Sequence, residues 1–256
     1  MKFARFPKFA LLFAIAGVLT LSLFGCGAAV SNLALTQGNW AVSATSTAAG
    51  KTVSGPTFVV GGNLTQSGTS LTGTFYISGS GCIVPQFVSF TGTVKGNNVA
   101  LTSASFGGQV ITVTASGAKD SLSGNYTVTG TCADSGTVSA SAVPSISGTW
   151  NGTVQVNGVP ATISVALTQA ATASVDGSFA ITGTATYSGS SCQTSATITP
   201  SSLQGISVNL NANIDTGTFN FTTTLDSAPA PKNMTGDYFI SDGCSDGDQT
   251  VTLTKQ

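Results

Sequence analysis

Charge is scarce in this chain of 256 residues, of which 7% are Asp, Glu, Lys or Arg, against roughly a quarter in ordinary globular proteins. Histidine and glutamate are absent, and the one arginine is Arg5. These absences exclude a His general base, a Glu acid–base pair, Ser-His-Asp and Cys-His nucleophile arrangements, and any His metal ligand. With eight basic residues against nine acidic ones, no basic surface for nucleic acid is available. The composition therefore predicts a protein that is not an enzyme and holds no cofactor and no metal. What the chain has in abundance is hydroxyl: 72 residues are Ser or Thr.

Residues 1–25 read as a signal peptide. Lys2, Arg5 and Lys8 form a positive start, and Phe9 to Phe24 is an apolar run of 16 residues, short of the about 20 that span a bilayer. The stretch Leu23-Phe24-Gly25-Cys26 resembles a bacterial lipobox. That resemblance implies a lipoprotein whose mature chain starts at Cys26 with the lipid attached there, and a membrane held through that lipid. Gly27 follows the lipid Cys, where Asp would signal inner-membrane retention, so the expected address is the outer membrane of the cell envelope. The mature chain keeps five Lys and nine Asp, a formal net charge of −4 without a charge run. Residues 26–37 read as a tether.

The rest of the chain repeats itself. Gly38-Asn39-Trp40 returns as Gly148-Thr149-Trp150, and Thr72-Gly73-Thr74 as Thr182-Gly183-Thr184, both at an offset of 110. Leu122-Ser123-Gly124-Asn125-Tyr126 returns as Met234-Thr235-Gly236-Asp237-Tyr238 at 112. Two tandem domains are expected, 38–143 and 148–256, each near the usual domain size.

Within each copy the period is two. Ile163, Val165 and Leu167 alternate with polar or small residues, as do Ile206, Val208, Leu210, Ala212 and Ile214, the mark of half-buried strands. Turn residues separate the segments: Lys95-Gly96-Asn97-Asn98, Asp176-Gly177, Asp215-Thr216-Gly217. No mature segment keeps a period of 3.6. The first copy predicts strands starting near Asn39, Phe58, Leu71, Val88, Val99, Val110, Ser123 and Thr137, and the second follows the same order. The fold class is all-β, antiparallel and duplicated, with eight strands per copy in up-and-down order. A closed barrel is favoured over an Ig-like sandwich. Exposed sheet edges are normally blunted by charge, of which there is little here, and closure removes the edges.

The Gly-x-Trp openings at Trp40 and Trp150, with Ser70-Leu71-Thr72-Gly73-Thr74-Phe75, resemble lipocalin and avidin-like barrels over a few residues per copy. The resemblance implies the barrel architecture, with both tryptophans plugging a barrel end. The lipocalin pattern also lays an Arg from a late strand over the Trp, and no mature Arg exists. The tryptophans of an avidin pocket are missing too, so the resemblance implies no ligand.

Five cysteines are present. Cys26 as lipid acceptor leaves four, which allow three pairings. The duplication favours Cys82 with Cys132 and Cys192 with Cys244. Each Cys follows strand three or seven of its copy, so both loops of a pair lie at one end. They must fold inward over the mouth to meet, because a disulfide needs Cα atoms about 5.5 Å apart. The barrels are then expected to be plugged, with partners meeting the outer wall or the opposite end. Asp242, Asp246 and Asp248 form a weak calcium candidate, for which a solvated turn is the simpler account. The Ser/Thr strand faces could bind sugar hydroxyls, or give a low-charge chain a soluble surface. The expected function is a non-catalytic binding or surface-structural role, with a protein or glycan partner. The alternatives are inhibition of an exported protease and small-ligand carriage.

Overall fold

The computed structural model describes residues 31–47, 58–78, 82–190, 194–214, 217–226, 228, 230–241 and 246–256. Among these, no helix is long and apolar enough to cross a membrane. The first eight strands are β1 (Gly38–Ser46), β2 (Phe58–Ser67), β3 (Ser70–Ser78), β4 (Gln86–Lys95), β5 (Asn98–Ser103), β6 (Val110–Ala118), β7 (Ser121–Thr129) and β8 (Asp134–Ala142). The second eight are β9 (Gly148–Val156), β10 (Val159–Gln169), β11 (Phe179–Ser188), β12 (Ser195–Gln204), β13 (Ser207–Ile214), β14 (Gly217–Leu225), β15 (Asn233–Ser241) and β16 (Asp246–Lys255). Each set pairs antiparallel in sequence order and closes on itself, β1 on β8 and β9 on β16. The fold is two tandem eight-stranded up-and-down barrels. Closure removes the edges of the first sheet, and in the second β16 meets β9 at Thr254–Asn151 and Lys255–Trp150, beyond which the Gln249 side chain bonds the Gln155 backbone.

Each barrel buries its own apolar core on the inward positions of the period-two pattern. Trp40 and Trp150 fill equivalent places with 1% and 0% of their surface exposed. Each indole N–H donates to a carbonyl four residues earlier, Thr36 and Ile146, at 2.8 Å. The repeated Thr-Gly-Thr marks a close approach across the sheet in β3 and β11. At Gly183 a Cβ would lie 2.0 Å from the Ala166 carbonyl oxygen across the sheet, so only glycine allows that approach.

The base of the first barrel is closed by the segment before β1, which sequence reading took as tether. The Gly96 N–H donates to Asn32 Oδ1 and the Leu33 N–H to the Gly96 carbonyl. The Leu35 N–H donates to Gln66 Oε1, and the Thr36 N–H to the Lys119 carbonyl. The Thr36 hydroxyl reaches the Asp120 carboxylate. The segment thus crosses all three hairpin turns of that end, and Leu35 is buried in the core.

The base of the second barrel is closed in the same way by its own lead-in, where Ile146 is buried and its N–H donates to Gln169 Oε1, and the outer wall of the first barrel docks on the β12–β13 turn at that end. Asn39 points out of β1 and is 3% exposed. Its Nδ2 donates to the Gly205 carbonyl and its Oδ1 accepts from the Gly205 N–H, both at 2.7 Å. Gly205 turns between β12 and β13 at φ +57°, and a Cβ on Gly61 of β2 would lie 2.8 Å from the Gly205 nitrogen. Two glycines therefore let backbone meet backbone across the junction. Ala41 of β1 packs against the second core. Gln204 Nε2 donates to the Asp176 carbonyl, tying the turn to the neighbouring β10–β11 loop. The Ser178 hydroxyl, then the Ser178 N–H, hold the Asp176 carboxyl below the usual carboxylate range. That contribution is complete above the unfolded value of about 3.9 and is lost as pH falls through the lowered folded one.

Asn39→Ala should leave the Gly205 N–H and carbonyl buried without partners, costing about 2 kcal/mol or more. Asn39→Asp should cost at least as much, because its second oxygen would face the Gly205 carbonyl. Urea unfolding of the alanine variant is expected to resolve into two transitions as the barrels uncouple. A single transition at the unchanged midpoint would show that the clamp does not couple them.

Candidate functional site

The barrel interiors offer little room. The first holds an apolar void of about 60 Å³, lined by Phe58, Phe75, Phe90, Val113 and Ala140 among others. In the second the space around Ile163, Phe219, Phe221, Tyr238, Val251 and Leu253 is filled. The register explains the difference. Leu101 faces Val113 in the first barrel where Leu210 faces Phe221 in the second, and Leu122 faces Ala140 where Met234 faces Leu253. Smaller side chains at the two matched positions leave the void.

Among the described residues two concavities lie on the outer walls: one of about 390 Å³ over β4 to β7, and the larger, of about 480 Å³, between the barrels. The docking of the β12–β13 turn against β1 and β2 creates the larger one. One wall is the outer face of β2 and β3, with Val59, Tyr76 and Ser78. The other is the outer face of β12 to β14, with Ser202, Asn209, Thr222 and Thr224. Outward positions carry these side chains because the core claims every alternate residue. Tyr76 is paired across the sheet with Phe87, the ring centroids 5.0 Å apart at 50°. Phe87 is 49% exposed and Val59 40%, so an apolar strip borders the cleft. On the facing wall Asn220 Nδ2 donates to Asn211 Oδ1 at 2.6 Å and to Asn209 Oδ1 at 3.3 Å, while the Thr222 hydroxyl donates to Asn220 Oδ1 at 3.0 Å. This network orients the amide and hydroxyl groups that line the wall. No charged side chain lines the cleft.

The residues singled out from sequence fall as follows. Cys82 and Cys132 form a disulfide with Cα atoms 5.8 Å apart. Beside it Ile83 turns down into the first core, so the two loops fold over that mouth. Cys26, Cys192, Cys244 and Asp242 lie outside the described residues. Asp246 and Asp248 sit in strand β16, opposite Ser241 and Phe239, where sequence reading placed them in a turn. The strand register extends further toward the loop than the Gly and Asp residues suggested. Among the described residues no cluster of His, Cys, Asp or Glu could hold a metal ion. Ser and Thr do cover the outer walls: Thr91, Thr102, Thr112, Thr127 and Ser135 are successive partners across β4 to β8.

Two features escaped sequence reading. Lys255, at the end of the last strand, lies with Nζ 5.4 Å from the centre of the Trp150 ring and donates to the Ser145 carbonyl. A lysine therefore takes the place over the Trp that the lipocalin pattern gives to Arg. A cation at the last strand's end was the available signal. The second is the cleft itself, because nothing in a period-two pattern says which outer walls will face each other.

No protein-family model matches the sequence, and no curated protein matches it. Among solved structures the chain is similar to isotype 1 transferrin binding protein B from serogroup B Neisseria meningitidis. That likeness covers 88% of this chain and 78% of the other at 9% identity, with a TM-score of 0.27. A TM-score of that size carries no inference about function.

Proposed function

We propose that this is a lipid-anchored exported protein that works by binding, without catalysis, and that its contact surface is the cleft between the barrels. The observation that carries the reading is where space exists. The interiors hold a void of about 60 Å³ at most, too small for small-ligand carriage, whose sites measure roughly 300–1,000 Å³. The cleft of about 480 Å³ falls in that range and lies where two rigid bodies meet. The lipobox at Cys26 supplies the anchor, at the outer membrane, and a pair between Cys192 and Cys244 would close the second mouth as Cys82–Cys132 closes the first. A second reading, inhibition of an exported protease, rests on Val84. It stands 71% exposed on the loop pinned by the disulfide.

A photo-reactive phenylalanine placed at Ser202, Val84 or Thr127 in producing cells tests both. Adducts from Ser202 and none from Thr127, exposed on β7 outside the cleft, are expected. Adducts from Val84 alone would replace the cleft reading with the inhibitor one. In the same cells Cys26→Ser should move the protein out of the membrane fraction, and its retention there would refute the lipid anchor.

A further inference from the structure

The chemistry of the cleft names a class of ligand, granted that the cleft is the contact surface. We infer that it binds a neutral carbohydrate chain, with Tyr76 and its neighbour Phe87 as the stacking platform and Asn209, Ser202 and Thr222 as partners for the hydroxyls. A pyranose ring presents an apolar C–H face and a rim of hydroxyls that both donate and accept. The two walls match those two surfaces: aromatic and aliphatic carbon on the first barrel, amide and hydroxyl on the second. Amides and hydroxyls offer both donors and acceptors, as a sugar rim requires.

The alternatives fit less well. With no charged side chain lining it, the cleft offers nothing to a phosphate, sulfate or carboxylate, each of which is normally met by Lys or Arg. An extended peptide gains its main-chain bonds by adding a strand to a free sheet edge, and the strands that line the cleft, β2, β3 and β12 to β14, are each paired on both sides. A purely apolar ligand would strip water from Ser202, Asn209 and Thr222, which line the cleft, and give their polar groups no bond in return. The clamp of Asn39 on Gly205 holds the two walls at fixed separation, so little ordering cost falls on binding.

The test uses the full chain in detergent on an array of neutral oligosaccharides (glucans, galactans, mannans and chitin fragments) printed beside sulfated and sialylated ones. Binding to at least one neutral series is expected, and it should persist in about 0.5 M NaCl, where ion pairs are screened. Removing an aromatic anchor by Tyr76→Ala should weaken it about tenfold or more. Tyr76→Phe should keep most of the affinity, because the ring remains. Asn209→Ala should weaken it without moving the thermal midpoint, which separates lost contact from lost fold. Binding to none of the neutral series would overturn the inference, as would binding confined to the anionic ones or unchanged in both Tyr76→Ala and Asn209→Ala. If the array is silent while cross-links from Ser202 land on a protein, the carbohydrate assignment falls and the cleft reading stands. If Ser202 gives no adduct of any kind, the cleft reading itself falls.

Discussion

Trp150→Ala should remove about 3–5 kcal/mol, the usual cost of emptying a large aromatic site in a core. The side chain is fully buried, its N–H is bonded to the Ile146 carbonyl, and Lys255 lies over its face. Its loss opens a hole at the base of the second barrel, where the first barrel docks. The hole cannot readily collapse, because bonds from Gln169 and Lys255 hold the Ile146 segment beside it in place. Set against a total of roughly 5–15 kcal/mol for a domain, the change should lower the thermal midpoint by roughly 10 °C or more. Trp40 becomes the remaining indole and reports the first barrel by fluorescence, while far-ultraviolet circular dichroism reports both. Coincident early transitions are expected, since the clamp couples the barrels. Trp150→Phe should lose less, keeping most of the volume but not the N–H bond. A loss below about 1 kcal/mol for the alanine variant would mean the site relaxes, against its burial.

Much of this architecture is legible in the chain because burial imposes it residue by residue. Alternation at Ile163, Val165 and Leu167 fixes which face of β10 turns inward, and the repeat at offsets of 110 and 112 fixes where the second copy starts. Scarcity of charge argued for closure, and both sheets are closed. The legibility stops at the outer walls. Asn39 reads as an ordinary residue between Gly38 and Trp40, and its partner Gly205 is 166 positions away. A single pair of backbone bonds leaves no period and no motif. Asn32, Leu33 and Leu35 look like linker for the same reason, since their partners are backbone groups and one amide in two separate hairpins. The cleft is further removed still. Tyr76 and Asn209 come together only because two closed bodies dock at one angle.

The first barrel's weak point is its mouth, and the disulfide should matter more there than elsewhere. Cys82 and Cys132 are 50 residues apart, a loop for which the chain-entropy model gives up to about 4 kcal/mol. Strain and residual unfolded structure lower that, so Cys82→Ala with Cys132→Ala should cost about 2–4 kcal/mol. The consequence reaches past the global number. Ile83 is held in the core by its neighbour's bond, directly above a barrel whose packing already leaves about 60 Å³ empty between Val113 and Ala140. With the bridge gone, Ile83 should leave the core before the strands separate, because the bond beside it fixes the chain over the mouth. Amide exchange is expected to quicken first across Ile83 to Phe87 and along the start of β8, while the base, closed by Leu35 and Thr36, keeps its protection. Exchange that rises equally at both ends would mean the bridge stabilises only through the unfolded chain. Peptide mapping of the unreduced protein should return Cys82 with Cys132 and Cys192 with Cys244. A link from Cys82 to Cys192 would overturn both the pairing and the view that each barrel carries its own lid.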